Sequence, residues 1–97
     1  MCLETILGYL QGPYSAWGLK HRADRLAANS PYKQFLYAVA SAVGVNSISK
    51  YTAKKAVEYF RTGNPELISV ALKLIGFKDK EAMSWLNDPA NKEAISL

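Results

Sequence analysis

The chain has 97 residues, of which 49% are hydrophobic and 21% are charged, and its formal net charge is +4 at neutral pH. This length and this balance predict a single folded domain over residues 1–97 and exclude wholesale disorder. The single cysteine excludes an internal disulfide, and one cysteine with one histidine is too few for a structural zinc site.

Residue pairs that start helices divide the chain clearly. A capping side chain accepts an orphan backbone N–H, and a proline at the first helical position has no N–H that would be left unpaired. Such pairs occur at Ser30-Pro31, Asn64-Pro65 and Asp88-Pro89. Glycines that fit the left-handed position just past a helix end are Gly44, Gly63 and Gly76. No alternating strand pattern competes with these marks, so the sequence predicts an all-α fold.

Six to seven short helices are predicted in chain order. They span about residues 2–11, 16–28, 31–43, 49–62, 65–75, 79–87 and 89–96. Their short connections favour one compact domain in orthogonal packing over a long up-and-down bundle. The helix at 65–75 is predicted to be the core, because its apolar positions cover more than half of the helical wheel. Its residues that are expected to be nearly inaccessible to solvent are Leu67, Ile68, Ala71, Leu72 and Ile75.

The positive charge is concentrated in the middle of the chain. Eight Lys and Arg residues oppose two acidic residues between positions 17 and 61, which gives this segment a net charge of +6. A localised basic region suits nucleic acid or an acidic protein surface. Basic residues on ordinary solvated helix faces give the same pattern, so the charge alone does not choose among these interpretations.

Residues 39–45 read Val-Ala-Ser-Ala-Val-Gly-Val and precede another predicted helix. This pattern resembles the helix-turn-helix of DNA-binding regulators, and the resemblance falls within residues 33–62. In that motif a small residue, here Ala40, allows close helix crossing, while the glycine, here Gly44, takes the tight turn. The apolar residue beside the glycine, here Val45, fills the angle between the helices. The alternative is a helix end followed by an ordinary core helix.

The resemblance implies that the helix at 49–62 is a recognition helix in the major groove of DNA. Asparagine can pair with adenine edges, and serine and lysine can reach bases or phosphates. The leading hypothesis is therefore a small helical protein that binds nucleic acid, in particular duplex DNA. The candidate nucleic-acid-binding residues are Asn46, Ser47, Ser49, Lys50, Lys54, Lys55 and Arg61.

The alternative is a protein-interaction module, such as an inhibitor, immunity or adaptor protein, that binds an acidic partner. Trp17, His21 and Arg25 are spaced four residues apart, so they share one stripe of the predicted helix. Tryptophan beside arginine is typical of binding hot spots, although packing of Trp17 beneath a neighbouring helix would explain it equally. Tyr37, on a polar helix face, completes the candidate partner-binding set.

The two hypotheses predict different surfaces. An exposed convex stripe containing Lys50, Lys54 and Arg61 would favour nucleic acid as the partner. A flat or concave face centred on Trp17 and Tyr37 would favour a protein partner instead.

Catalysis, cofactor binding and membrane insertion have little support in the sequence. His21 is the only histidine, and no glycine-rich phosphate loop or nucleophile motif occurs. No uncharged apolar run reaches the ~18 residues that span a bilayer. Glu4 stands where a secretory signal would be positively charged. We therefore expect a non-enzymatic protein with no metal or other cofactor, no membrane partner and a cytoplasmic location.

Overall fold

The fold was analysed in a computed structural model, which describes residues 12–95. Within these residues the chain forms five α-helices and one 3-10 helix, and it contains no strand, so the predicted all-α class is confirmed. The helices are α1 (Ala16–Asp24), α2 (Pro31–Gly44), α3 (Lys50–Arg61), α4 (Pro65–Leu74), α5 (Asp79–Asn87) and the 3-10 helix (Pro89–Ala94). The helix predicted at residues 2–11 lies outside the described residues.

One hydrophobic cluster joins all five α-helices. Helix α1 packs chiefly against α2, and α3 packs chiefly against α4. Helix α5 lies against α4, while the 3-10 helix contacts both α2 and α5. The largest side chains that are fully buried are Leu19, Leu36, Val39, Val57, Ile68 and Leu72. Burial of these apolar side chains is the main favourable term in the folding of this chain.

An aromatic group around Phe60 connects three of the helices. The Phe60 ring stacks on Phe35, with 4.1 Å between ring centroids, and on Tyr32 at 5.8 Å. Trp85 meets the same ring edge-on at 5.5 Å. Stacked and edge-to-face pairs of this kind add to the free energy gained from burial. Phe60 on α3 thereby holds α2 and α5 in fixed positions.

Each of the three predicted capping pairs stands at the start of a helix, as expected. The Asn64 side chain accepts hydrogen bonds from the backbone N–H groups of Glu66, at 2.9 Å, and Leu67, at 3.3 Å. Asp88 accepts from the N–H of Ala90 at 2.9 Å and begins the 3-10 helix. Ser30 occupies the capping position of α2, but its side chain makes no capping hydrogen bond.

The expectation that Gly44 takes a left-handed turn position is wrong, whereas Gly63 and Gly76 do take it, with φ of 71° and 106°. Gly44 is instead the last residue of α2. Asn46 takes the left-handed conformation two residues later, with φ of 60°. Asparagine tolerates this conformation better than most residues do.

Two further expectations are corrected in the helices. Helix α1 ends at Asp24 and not near residue 28. Beyond this end, the Lys33 ammonium donates a hydrogen bond of 3.2 Å to the carbonyl oxygen of Leu26. Leu67 in α4 and Ile75, the residue just after its end, are only partly buried, although the other three predicted core residues are buried. The apolar arc of α4 is therefore wider than the face that its neighbours cover.

Candidate functional site

Helix α1 presents an exposed ridge of aromatic and basic side chains. The Trp17 and His21 rings stack with 4.9 Å between centroids and an angle of 8° between their planes. The Arg25 Nη2 atom lies 3.4 Å from His21 Nε2, so the three side chains form a continuous row. Trp17 is 58% exposed and does not pack beneath a neighbouring helix. The spacing of four residues places the three together, as expected for one helix face.

A groove of about 380 Å³ separates this ridge from α2 and is named here the α1–α2 groove. Its lining residues are Ala16, Trp17, Lys20, Tyr37, Ala40 and Ser41. Trp17 and Tyr37 are the large side chains of the lining, while Ala16, Ala40 and Ser41 are small. This difference in size makes the surface between the two helices concave.

Tyr37 is held in place by two neighbours. Its hydroxyl donates a hydrogen bond to the Asp24 carboxylate, and the Lys33 ammonium lies 5.8 Å from its ring centroid. The hydrogen bond to Asp24 is the main cause that raises the pKa of Tyr37, and burial and the Asp24 charge add to it. The structure thus brings Tyr37 to the same surface as the Trp17–His21–Arg25 row.

Three positively charged side chains lie in or near the α1–α2 groove. Lys20 lines it, Arg25 ends the aromatic row, and Lys33 lies beside Tyr37. Asp24 also lies on this surface, where its carboxylate accepts a hydrogen bond from the Tyr37 hydroxyl. Sequence reasoning missed Lys20 and Lys33 as members of the surface. Their positions one helical turn from Trp17 and Tyr37 could have identified them.

The turn before α3 uses its polar side chains to build local structure. Ser47 Oγ donates to the carbonyl oxygen of Ala42 at 3.0 Å. Ser49 caps α3 by accepting from the N–H of Thr52 at 3.1 Å. Asn46 supplies the left-handed turn. These three candidate DNA contacts are therefore explained by the folding of the turn itself.

The basic candidates on α3 divide into two groups. Lys50, Lys54 and Arg61 are exposed and follow one stripe of the helix. Lys55 lies further round, with its ammonium 5.6 Å from the Tyr51 ring centroid and 3.9 Å from a Glu58 carboxylate oxygen. Its charge is therefore partly balanced within the helix.

The helix-turn-helix resemblance of residues 33–62 is not confirmed. Val45, which was expected to fill the angle between the helices, is 74% exposed. A Cβ atom at Gly44 would lie 3.5 Å from the Ala16 Cβ, so this end of α2 faces α1. Helix α2 also packs far more extensively against α1 than against α3. These observations give no support to the close crossing of two consecutive helices that the motif needs.

Residues 12–95 contain no group of three or more His, Cys, Asp or Glu side chains that could hold a metal ion. Among the same residues, no helix has both the length and the apolar character required to cross a membrane.

Comparison of the chain with protein-family models, with curated proteins and with solved structures finds no match. No residue role is therefore carried over from a relative. The functional inference depends on the surfaces of this chain alone.

Proposed function

We propose that this protein is a non-enzymatic interaction module of the cytoplasm that binds an acidic segment of a partner protein in the α1–α2 groove. The observation that carries the proposal is the concave surface between Trp17 and Tyr37. Exposed tryptophan, tyrosine and arginine side chains are the residue types that dominate binding hot spots. Trp17, Tyr37 and Arg25 occur together on this face.

The charges favour an acidic partner. Lys20 lines the groove, Arg25 and Lys33 lie near it, and these three positive charges outnumber the single negative charge of Asp24. Complementary charge speeds the encounter of two proteins and disfavours partners of the wrong sign. We therefore expect one apolar side chain of the partner to enter the groove. Carboxylates of the partner should flank this side chain in the partner's sequence.

The aromatic side chains are held in place before binding. Trp17 stacks on His21, and Tyr37 is tied to Asp24 by a hydrogen bond. Side chains that are already ordered lose little conformational freedom when a partner binds. The two rings can therefore contribute more of their contact energy to affinity than freely rotating side chains would.

Duplex DNA is the second candidate partner. Lys50, Lys54 and Arg61 share one exposed stripe of α3, which suits contacts to successive phosphates. This candidate ranks second because the side chains of Ser47 and Ser49 are engaged in the turn and Val45 is exposed. It would act through phosphate contacts without the predicted helix-turn-helix geometry.

One set of variants distinguishes the two partners. The probes are a synthetic peptide with one phenylalanine flanked by glutamates and a random-sequence DNA duplex. Trp17→Ala should weaken peptide binding by more than about 30-fold, because truncation of a buried tryptophan anchor costs about 2 kcal/mol or more. Met83→Ala is the matched control, since Met83 on α5 is also 58% exposed. Lys50→Ala with Lys54→Ala should change peptide affinity less than about threefold.

The DNA arm uses affinities measured between ~50 and ~200 mM salt. If duplex DNA is the partner, the double lysine variant should flatten the log–log salt dependence by about two, and Trp17→Ala should have little effect. Peptide binding that Trp17→Ala leaves unchanged would overturn the protein-interaction proposal. Absence of any duplex binding at the lowest salt would remove the DNA candidate.

A further inference from the structure

A second cleft, of about 290 Å³, lies where the start of α2 and the ends of α3 and of the 3-10 helix come together. Its lining residues are Ser30, Pro31, Tyr32, Phe60, Arg61, Glu93 and Ala94. They come from three separate parts of the sequence, so only the folded chain assembles the cleft. It shares no residue with the α1–α2 groove. It is called the Arg61–Glu93 cleft below.

The two charged side chains of the Arg61–Glu93 cleft have no polar partner among the described residues. Within residues 12–95, neither Arg61 nor Glu93 makes an ion pair or a side-chain hydrogen bond, and the two do not pair with each other. A positive and a negative group therefore line one small cleft without neutralising each other. A ligand that carries both charges would satisfy both groups at once.

The remaining lining is aromatic, apolar or able to form hydrogen bonds. Phe60 and Pro31 are buried, and Tyr32 stacks on Phe60, which gives the cleft a rigid apolar wall. The Ser30 hydroxyl makes no capping hydrogen bond and remains available to a ligand. The Tyr32 hydroxyl accepts from Arg22 at 3.4 Å, so its own proton can still be donated.

We propose that the Arg61–Glu93 cleft binds a small zwitterion, namely a free α-amino acid with an aromatic or large apolar side chain. The ligand carboxylate pairs with the Arg61 guanidinium, and its ammonium pairs with the Glu93 carboxylate. Its side chain lies against Tyr32, whose ring is backed by the buried Phe60. The volume is at the lower limit of ligand pockets, which are about 300–1,000 Å³, so the ligand is no larger than this class.

The proposal is tested by NMR titration of the isotopically labelled full chain with phenylalanine. A ligand of this size with solvent-exposed charges should bind with a Kd on the order of 1 mM. We expect saturable shift changes at the backbone signals of residues 30–32, 60–61 and 93–94. The comparison ligands are 2-phenylethylamine, which lacks the carboxylate, 3-phenylpropanoate, which lacks the ammonium, and glycine, which lacks the ring. Each should bind about three- to tenfold more weakly than phenylalanine.

Variants of Arg61 and Glu93 test which charged group of the ligand each side chain binds. Arg61→Gln should weaken phenylalanine binding about three- to tenfold and leave the affinity for 2-phenylethylamine unchanged. Glu93→Gln should leave the affinity for 3-phenylpropanoate unchanged and weaken phenylalanine binding to the same degree. Lys54→Gln, which removes another exposed charge of α3, is the matched control and should have no effect. Unchanged thermal melting of each variant verifies that it is folded.

Three results would overturn the zwitterion site. They are the absence of saturable shifts at concentrations about tenfold above the expected Kd, comparison ligands that bind as tightly as phenylalanine, and variants that bind like the wild type. Trp17→Ala should leave phenylalanine binding unchanged. The outcome is thus independent of whether the α1–α2 groove binds a protein.

Discussion

The Tyr37 hydroxyl donates a hydrogen bond to the carboxylate of Asp24, which is the last residue of α1. This bond ties the middle of α2 to the end of α1 beside the α1–α2 groove. The Asp24 carboxylate keeps its negative charge in this bond, because the donor is a neutral hydroxyl. One contact between residues distant in sequence therefore sets the position of the Tyr37 ring beside the groove.

The Tyr37–Asp24 bond predicts a shifted titration. The pKa of Tyr37 is raised, first by the hydrogen bond to Asp24 and then by burial and by the Asp24 charge. Because the folded state holds this proton more tightly, its contribution to stability is complete below the ordinary tyrosine pKa of about 10. That contribution is lost as the pH rises through the raised pKa. Asp24→Asn should therefore lower the pKa of Tyr37 in a tyrosinate absorbance titration.

Tyr37→Phe identifies which step of the absorbance titration belongs to Tyr37. It should remove the same step that Asp24→Asn shifts to lower pH. Tyr51→Phe is the control, because Tyr51 is 70% exposed and distant from Asp24 in the sequence. An Asp24→Asn protein in which the Tyr37 step stays at its wild-type pH would contradict the hydrogen bond.

Two glycine substitutions should have opposite effects. An alanine Cβ at Gly18 would overlap the Gly12 carbonyl oxygen and lie 3.2 Å from Pro13 Cα. These neighbours are backbone atoms, so the overlap is not relieved by a side-chain rotation. Gly18→Ala should therefore destabilise the protein by about 1–3 kcal/mol, despite the better helix propensity of alanine. Urea denaturation measures the change.

Gly44→Ala is the matched comparison, since Gly44 also lies in a helix. The nearest atom to its added Cβ is Ala16 Cβ at 3.5 Å, which is ordinary contact. We expect this variant to be neutral or stabilised by up to about 1 kcal/mol, because alanine reduces the freedom of the unfolded chain. A Gly18→Ala variant as stable as the wild type would show that α1 does not approach Gly12 as described.

The parts of the fold that depend on local chemistry could be predicted from the sequence. Asn64 was identified as a helix start because its side chain and Pro65 act within one turn of the chain. The Trp17–His21–Arg25 row was predicted for the same reason, since helical spacing alone brings these side chains together.

The parts that depend on packing could not be predicted. The sequence shows that Leu67 is apolar, but not that the neighbouring helices leave it partly exposed. Gly44 was assigned to the turn because glycine prefers left-handed conformations, yet α2 continues through it and Asn46 takes that conformation. The Arg61–Glu93 cleft had no sequence signature, because three distant segments form it.

Leu72 should be among the most sensitive positions of the core. It is 1% exposed and belongs to the cluster that joins the five α-helices. Leu72→Ala should lower the free energy of unfolding by about 2–5 kcal/mol, through lost apolar burial and the cavity that remains. Leu67→Ala removes the same atoms from a partly exposed position of the same helix. It should cost clearly less in the same denaturant titration, and equal losses would contradict the packing of α4.

Asn64 and Ser30 allow a matched comparison of helix capping, because each precedes a helix whose first residue is proline. The Asn64 side chain accepts from two backbone N–H groups of α4, whereas the Ser30 side chain makes no capping bond in α2. Asn64→Ala should therefore destabilise the protein by about 0.5–2 kcal/mol. Ser30→Ala should change the free energy of unfolding by less than about 0.5 kcal/mol, since no hydrogen bond is lost.

Chemical denaturation of both variants and the wild type measures the difference. Asn64→Asp adds a second comparison, because aspartate retains the acceptor oxygen and also interacts favourably with the positive end of the helix dipole. It should be at least as stable as the wild type at neutral pH. If Ser30→Ala and Asn64→Ala lose equal stability, the capping bonds of Asn64 are not what stabilises the start of α4. If Asn64→Ala loses stability and Asn64→Asp keeps it, the side-chain oxygen of residue 64 is what stabilises the start of α4.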